Sequence, residues 1–334
     1  MTLSNTVPCR FLFIIIGCAL LLSLAACGQE SREPVLSVHG AVEKALSLSM
    51  EDLQAMPGFH INNVADLREK QAPADAEEFI DTANFEGVLL RDILEKAGMK
   101  HKKKYEPAVF FRVRGEGGRE IVFSFGEIMY SSIGRSTLLA YRKDGKPTRS
   151  LQLVVSNDIR NGRRLSNVNE VTVERLKIEM KVYDERKKGI VQPPTTELEV
   201  LDIKSGKSCT VVLTDLLELP EIMVDEKVQI GDCEGFHGIY SYRGTLLRSL
   251  LEKRGFMAQP LDYSRYVGIT SKNGFSATYS FGELFNSKLG NNIIIAWEKD
   301  REALGDDEAF AMMVAVEDST GGRSVKRISN IYVY

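Results

Sequence analysis

Three groups of residues in this chain of 334 have types and spacings that could do chemistry. The first is Cys233, in Gly231-Asp-Cys-Glu-Gly-Phe236 with His237 just beyond, together with Cys209 upstream. A thiolate and a nearby imidazole can share a metal ion. Two cysteines in an oxidising compartment can form a disulfide, and a buried thiol can be inert. Spacing alone leaves all three open. The second group is a repeated motif, Ser124-Phe-Gly-Glu127 and Ser280-Phe-Gly-Glu283. Carboxylates can act as general acids, but Ser followed three positions later by Glu, ahead of an apolar stretch, is first of all a helix capping box, and that is the role expected here. The third is the late basic pair Arg323 and Lys326 in Gly321-Gly-Arg-Ser-Val-Lys326, which suits a solvated loop or an anion equally. His39, His60 and His101 fall in turn-like contexts and are expected at the surface. The sequence contains no Ser-His-Asp constellation, phosphate-cradling glycine loop or paired-cysteine zinc signature.

The elements that must position these residues come in two copies. Arg91–Met99 reads RDILEKAGM and Arg248–Phe256 reads RSLLEKRGF. The spacings Leu90, Ile93, Leu94 and Leu247, Leu250, Leu251 give each helix one apolar face, and Gly98 and Gly255 suit the left-handed position that ends it. Upstream, Val35–Val38 and Leu198–Ile203 read as strands, followed by Asp-Leu and Pro at matching offsets; Ser49 and Asp52 predict a capped turn. Downstream, hairpins at Val109–Val113 with Arg119–Phe123 and at Tyr266–Thr270 with Ser276–Tyr279 precede buried strands Leu138–Tyr141 and Ile294–Trp297. Each copy then closes with a strand, a polar loop and a strand. Arg175–Tyr183 alternates like an edge strand. The expected domains are 35–183 and 198–334, joined by a linker over 184–197 that contains Pro193-Pro194. Strands interspersed with short helices, without a βαβ rhythm, point to an α+β fold.

Before the first copy, Arg10 and an apolar run from Phe11 to Leu22 lead to Leu24-Ala25-Ala26-Cys27. The run is too short to span a bilayer and ends in small residues, as a signal peptide over 1–26 does. Leu-Ala-Ala-Cys resembles the lipobox of bacterial lipoproteins, so Cys27 is the expected lipidation site, with 27–34 as anchor and tether. Gly28, where an Asp would resemble an inner-membrane retention signal, favours the outer membrane facing the periplasm. Cleavage removes only Arg10 among the charged residues and leaves 42 basic against 46 acidic, a net of −4. No basic field is present to recruit nucleic acid.

The order of strand, Asp-Leu, Pro, Gly-Val helix, hairpin, Leu-Leu-Ala-Tyr-x-x-Asp-Gly-Lys-Pro, Val-Val-x-x-Asp and a late Arg resembles the molybdopterin-binding domain of the sulfite oxidase family. The resemblance covers nearly all the mature chain as two tandem copies, and it implies mixed sheets with short helices. In that family a cysteine thiolate between the proline and the Gly-Val helix ligates molybdenum, and a late Gly-x-Arg-x-Val-Lys segment holds the pterin phosphate. The resemblance therefore implies Cys233 as metal ligand, a soft donor suited to a metal held by sulfur. It implies Arg323, Ser324 and Lys326 as pterin contacts, with charge-assisted bonds to the phosphate. The first copy has no cysteine between Pro57 and Gly87 and reads Arg163-Arg-Leu-Ser166 at the late segment, so it is expected to bind no metal. The implied function is a membrane-anchored, extracytoplasmic molybdopterin-dependent oxidoreductase with a redox or protein partner in the periplasm. The alternative is a cofactor-free lipoprotein that uses the retained fold as a ligand- or protein-binding module. The family's usual Asn-His segment is absent from Ser31 to Val38, which favours that alternative.

Overall fold

The computed structural model describes residues 33–69, 77–99, 107–177, 189, 193–231, 235–257 and 259–334. The leader, Cys27, His101, Cys233 and most of the edge strand expected over 175–183 lie outside the described residues. Val35–Tyr334 forms one compact unit, and within it two halves repeat one order of elements.

The first half runs β1 (Leu36–Gly40), β2 (Leu46–Leu48), α1 (Met50–Gln54), β3 (Phe59–Glu69), β4 (Glu77–Leu89), α2 (Leu90–Lys96), β5 (Val109–Arg114), β6 (Glu120–Ser124), α3 (Phe125–Met129), β7 (Thr137–Lys143), β8 (Lys146–Val155) and β9 (Glu170–Arg175). The second runs β10 (Glu197–Asp202), β11 (Ser208–Val212), α4 (Leu213–Leu217), β12 (Glu221–Gly231), β13 (Gly235–Leu246), α5 (Leu247–Lys253), β14 (Tyr266–Ser271), β15 (Ser276–Ser280), α6 (Phe281–Phe285), β16 (Ile293–Lys299), β17 (Glu302–Ala303), β18 (Met312–Ala315) and β19 (Ile328–Val333). One sheet of each half has the order β2-β1-β9-β5-β6 or, correspondingly, β11-β10-β19-β14-β15. In each, only the first and last strands of the half pair in parallel, β1 with β9 and β10 with β19. The other sheets are β3-β4-β7-β8 and β12-β13-β16-β17, with β18 also on β16. Mixed sheets with short helices make this an α+β fold.

The central strands are buried on both faces, and period-2 alternation assigns their side chains. Leu139 and Tyr141 of β7 enter the main core of the first half, while Leu138 and Ala140 enter a smaller cluster behind the sheet. Ile295 and Trp297 of β16 do the same against Ile294 and Ala296. Helices α2 and α5 bury the leucine and isoleucine faces read from their spacing. Both end on glycines in the left-handed region, Gly98 at φ +99° and Gly255 at φ +69°. At α1, Ser49 accepts from Asp52 N and Asp52 reaches back to Ser49 N, a complete capping box.

The halves meet along a seam with approximate twofold character. Val122 N donates to Tyr263 O at 2.9 Å, and Thr278 N to Pro107 O at 2.7 Å. Likewise Ile159 N donates to Asn286 O, and Ser319 N to Tyr130 O. The rings of Phe110 and Tyr266, at equivalent positions in β5 and β14, stack on each other at 4.2 Å. Self-complementary contacts of this kind are those of an isologous dimer interface, here closed within one chain.

Candidate functional site

The chemistry-bearing residues converge on this seam. Helices α3 and α6 begin there, each capped by its serine: Glu127 N donates to Ser124 Oγ at 3.2 Å and Glu283 N to Ser280 Oγ at 3.0 Å. Each serine hydroxyl then donates across the seam to the other half's glutamate, Ser124 to Glu283 at 2.6 Å and Ser280 to Glu127 at 2.7 Å. Glu283 also closes its own capping box by accepting from Ser280 N. Glu127 departs from the expected cap: its carboxylate goes to Arg163 and Ser280.

Two arginines complete the arrangement. Arg323 Nε and Nη2 hold the two oxygens of Asp318 at 2.7 Å, and its Nη1 donates to Glu283 and to Ser124 Oγ at 2.9 Å. Arg163 grips Asp158 through Nε and Nη2, and Glu127 through Nη1. The guanidinium planes lie over Tyr279 at 4.6 Å and Phe123 at 4.9 Å. Each arginine crosses the opposite helix start, where only glycine leaves room. A Cβ on Gly126 would stand 2.0 Å from Arg323 Nε, and one on Gly282 would stand 2.5 Å from Arg163 Cδ.

Charge in this clasp is not balanced. Among the described residues, the carboxylates of Glu127, Glu283, Asp318 and Asp158, the last with its side chain 4% exposed, face two guanidiniums and the ammonium of Lys227, which is buried and donates to the carbonyls of Val316 and Asp318. Burial pushes the Glu283 carboxyl up to about 7, helped by the Glu127 charge and opposed by Arg323. Burial also pushes Asp158 up to about 6 despite Arg163. Desolvation lowers the Lys227 ammonium, with Asp318 opposing it. Desolvation is the larger influence throughout, as expected where ions leave water.

The residues assigned to the pterin by resemblance do not form one cationic surface. The Gly321–Lys326 segment reaches the end of β12, where Gly321 N donates to Ile230 O at 3.0 Å. Arg323, however, is 1% exposed and turns into the seam. Its donors are held by two carboxylates and a hydroxyl, which a phosphate at Arg323 would have to displace. Lys326 lies at the surface and pairs with Glu308 at 2.6 Å. Ser324 is partly exposed, and its N–H donates to Gly321 O. Gly322 N donates to Thr320 Oγ1. A phosphate is drawn to uncompensated cations, and both side-chain cations of this segment are paired with carboxylates. Arg163, in the first half, is the counterpart of Arg323. Cys209, on β11, is a free thiol among the described residues, and burial raises it above its ordinary pKa; its expected partner Cys233 lies outside them. Among the described residues no group of three or more His, Cys, Asp or Glu is arranged to hold a metal.

Beside the clasp a cleft of about 380 Å³ opens between the halves, lined by Ser132, Ile133, Ser156, Asn157, Asp158, Lys288 and Leu289. Its hydroxyls, amide and ammonium can hold a small polar ligand, but they supply no activated nucleophile. Sequence reasoning missed Asp158, Asp318 and Arg163 as members of the site. The signal was an Asp followed five positions later by Arg in both copies, beside a glycine retained in both Ser-Phe-Gly-Glu motifs.

Residues 29–151 match the family model described as oxidoreductase molybdopterin binding domain. No curated protein sequence matches the chain. Among solved structures, the chain is similar to the crystal structure of the sulfane dehydrogenase SoxCD from Paracoccus pantotrophus, with a TM-score of 0.34 and 13% identity over 90% of this chain and 79% of that one.

Proposed function

We propose that the chain is a lipid-anchored, extracytoplasmic binding module built from two tandem copies of a molybdopterin-oxidoreductase-type domain, and that its second copy holds no pterin. The observation that carries this reading is the clasp. The arginine expected to meet the phosphate is buried against Asp318 and Glu283, and its counterpart is buried in the same way against Asp158 and Glu127. The shared sheet order of the halves supports the tandem-copy reading. The apolar run and Leu-Ala-Ala-Cys27 support the anchor, and Gly28 favours the outer membrane, facing the periplasm.

A second reading, a molybdopterin-dependent oxidoreductase, is favoured by the family match over 29–151 and by the bond from Gly321 to β12, the strand before Cys233 in the sequence. Protein purified from a host that makes the cofactor separates the two. Metal analysis and assay of released pterin are expected to find only traces. Near-stoichiometric molybdenum that disappears in Cys233→Ala would overturn the binding-module reading.

A further inference from the structure

The long hairpins of the two halves differ on their outer faces. On β12 and β13, Val228 stands opposite Ile239 and Ile230 opposite Phe236. All four point away from the body, at 46%, 57%, 42% and 67% exposure. The inner face is occupied: Lys227 reaches Val316 and Asp318, and Tyr240 packs against the cluster behind the sheet. On β3 and β4 of the first half, the position of the Val228–Ile239 pair holds Ala65 and Thr82. The fold therefore does not require an apolar surface there. The four side chains leave on the order of 400 Å² of apolar surface open, about half of what one partner gives a standard protein interface.

The charges around this face decide what covers it. Among the described residues, the lysines and arginines of β12, β13 and β16 are engaged: Lys227 by carbonyls, Arg243 by Glu221 and Glu298, and Lys299 by the Tyr240 ring at 3.8 Å. Asp225 and Glu226, at the bulge in β12, are exposed and form no ion pair among the described residues. An apolar face with free acids beside it is repelled by an anionic lipid surface. It also repels a second copy of itself, whose acids would meet its own. We infer that this face docks a protein whose contact segment is apolar and flanked by lysine or arginine. The inference deepens the binding-module reading and names its surface. Its test is independent of the metal analysis.

The test places the photoreactive residue benzoylphenylalanine at Phe236 of the full chain in cells that export it, with the same residue at Thr82 as control. The expected result is a light-dependent adduct with another protein, whose cross-linked peptide carries apolar residues flanked by Lys or Arg. Charge reversal by Asp225→Lys with Glu226→Lys should reduce the yield at least tenfold, and so should Ile239→Asp. Both are surface changes that leave the core intact. Adducts only with lipid or with a second copy, a cross-linked peptide without basic flanks, or a yield no higher than at Thr82 would each overturn the proposal.

Discussion

Arg323 and Lys326 share one short segment and meet opposite environments, so their substitutions separate structural from ligand-binding roles. Removing one partner of a buried ion pair leaves the others uncompensated and costs roughly 3–5 kcal/mol, whereas an exposed pair contributes about 0–1 kcal/mol. Urea denaturation is therefore expected to show Arg323→Ala and Arg163→Ala destabilised by roughly 3–5 kcal/mol, with Lys326→Ala close to the parent. Equal effects of Arg323→Ala and Lys326→Ala would contradict the clasp. The imbalance of charge gives the same residues a pH dependence. Glu283 binds its proton more tightly folded, at about 7, than unfolded, near 4.5. Asp158 shifts in the same direction, from 3.8 to about 6. Their contribution is fully present below the unfolded values and is lost as pH rises through the folded ones. Thermal melting is expected to fall between about pH 4 and pH 7, and Glu283→Gln should flatten the upper part of that slope.

At the scale of elements, the start of each short helix does two jobs at once. Ser280→Ala removes an N-cap, about 1 kcal/mol, and a hydrogen bond to a buried carboxylate, about 1.5–3 kcal/mol, so a loss of roughly 2–4 kcal/mol is expected in denaturant titration. Gly282→Ala should cost at least as much, because Arg163 cannot yield without leaving its carboxylates. The serine caps were legible in the sequence because a cap lies within one turn. Their second role was not, since the bond from Ser124 to Glu283 spans 159 residues and no local pattern encodes it. Helices α2 and α5 and the strands β1, β5–β7, β10 and β14–β16 were legible for the same reason as the caps, being set by period and by terminal glycines; the long hairpins β3–β4 and β12–β13 were not, because bulges break their alternation. The inward turn of Arg323 was not legible, because Gly-Gly-Arg-Ser-Val-Lys reads alike whether its arginine faces solvent or a carboxylate of the other half.

For the whole molecule, the seam implies that the halves need each other. Separated within the 184–197 linker and produced together, they are expected to form a 1:1 complex by sedimentation. Either half alone, with the Phe110 or Tyr266 face bare, should aggregate or stay unfolded. Persistence of both halves as soluble folded monomers would show that the seam is dispensable. At the same scale, Cys27→Ser is expected to leave an unprocessed precursor or a soluble chain. Retention after cleavage would refute the lipid anchor.

The two glycines beneath the crossing arginines bear on how long the fold lasts as well as on how stable it is. To part the halves, each guanidinium must back out of a slot that fits only a glycine, and must do so while its carboxylates are still dry. Water can repay that cost only after the gap has opened, so the barrier stands early on the opening path and acts on the rate of unfolding. Such a latch lengthens the half-life of the fold against a protease that cuts an opened chain faster than it recloses. Relaxing it with Arg163→Met and Arg323→Met together should hasten digestion far more than the change in midpoint stability alone would suggest.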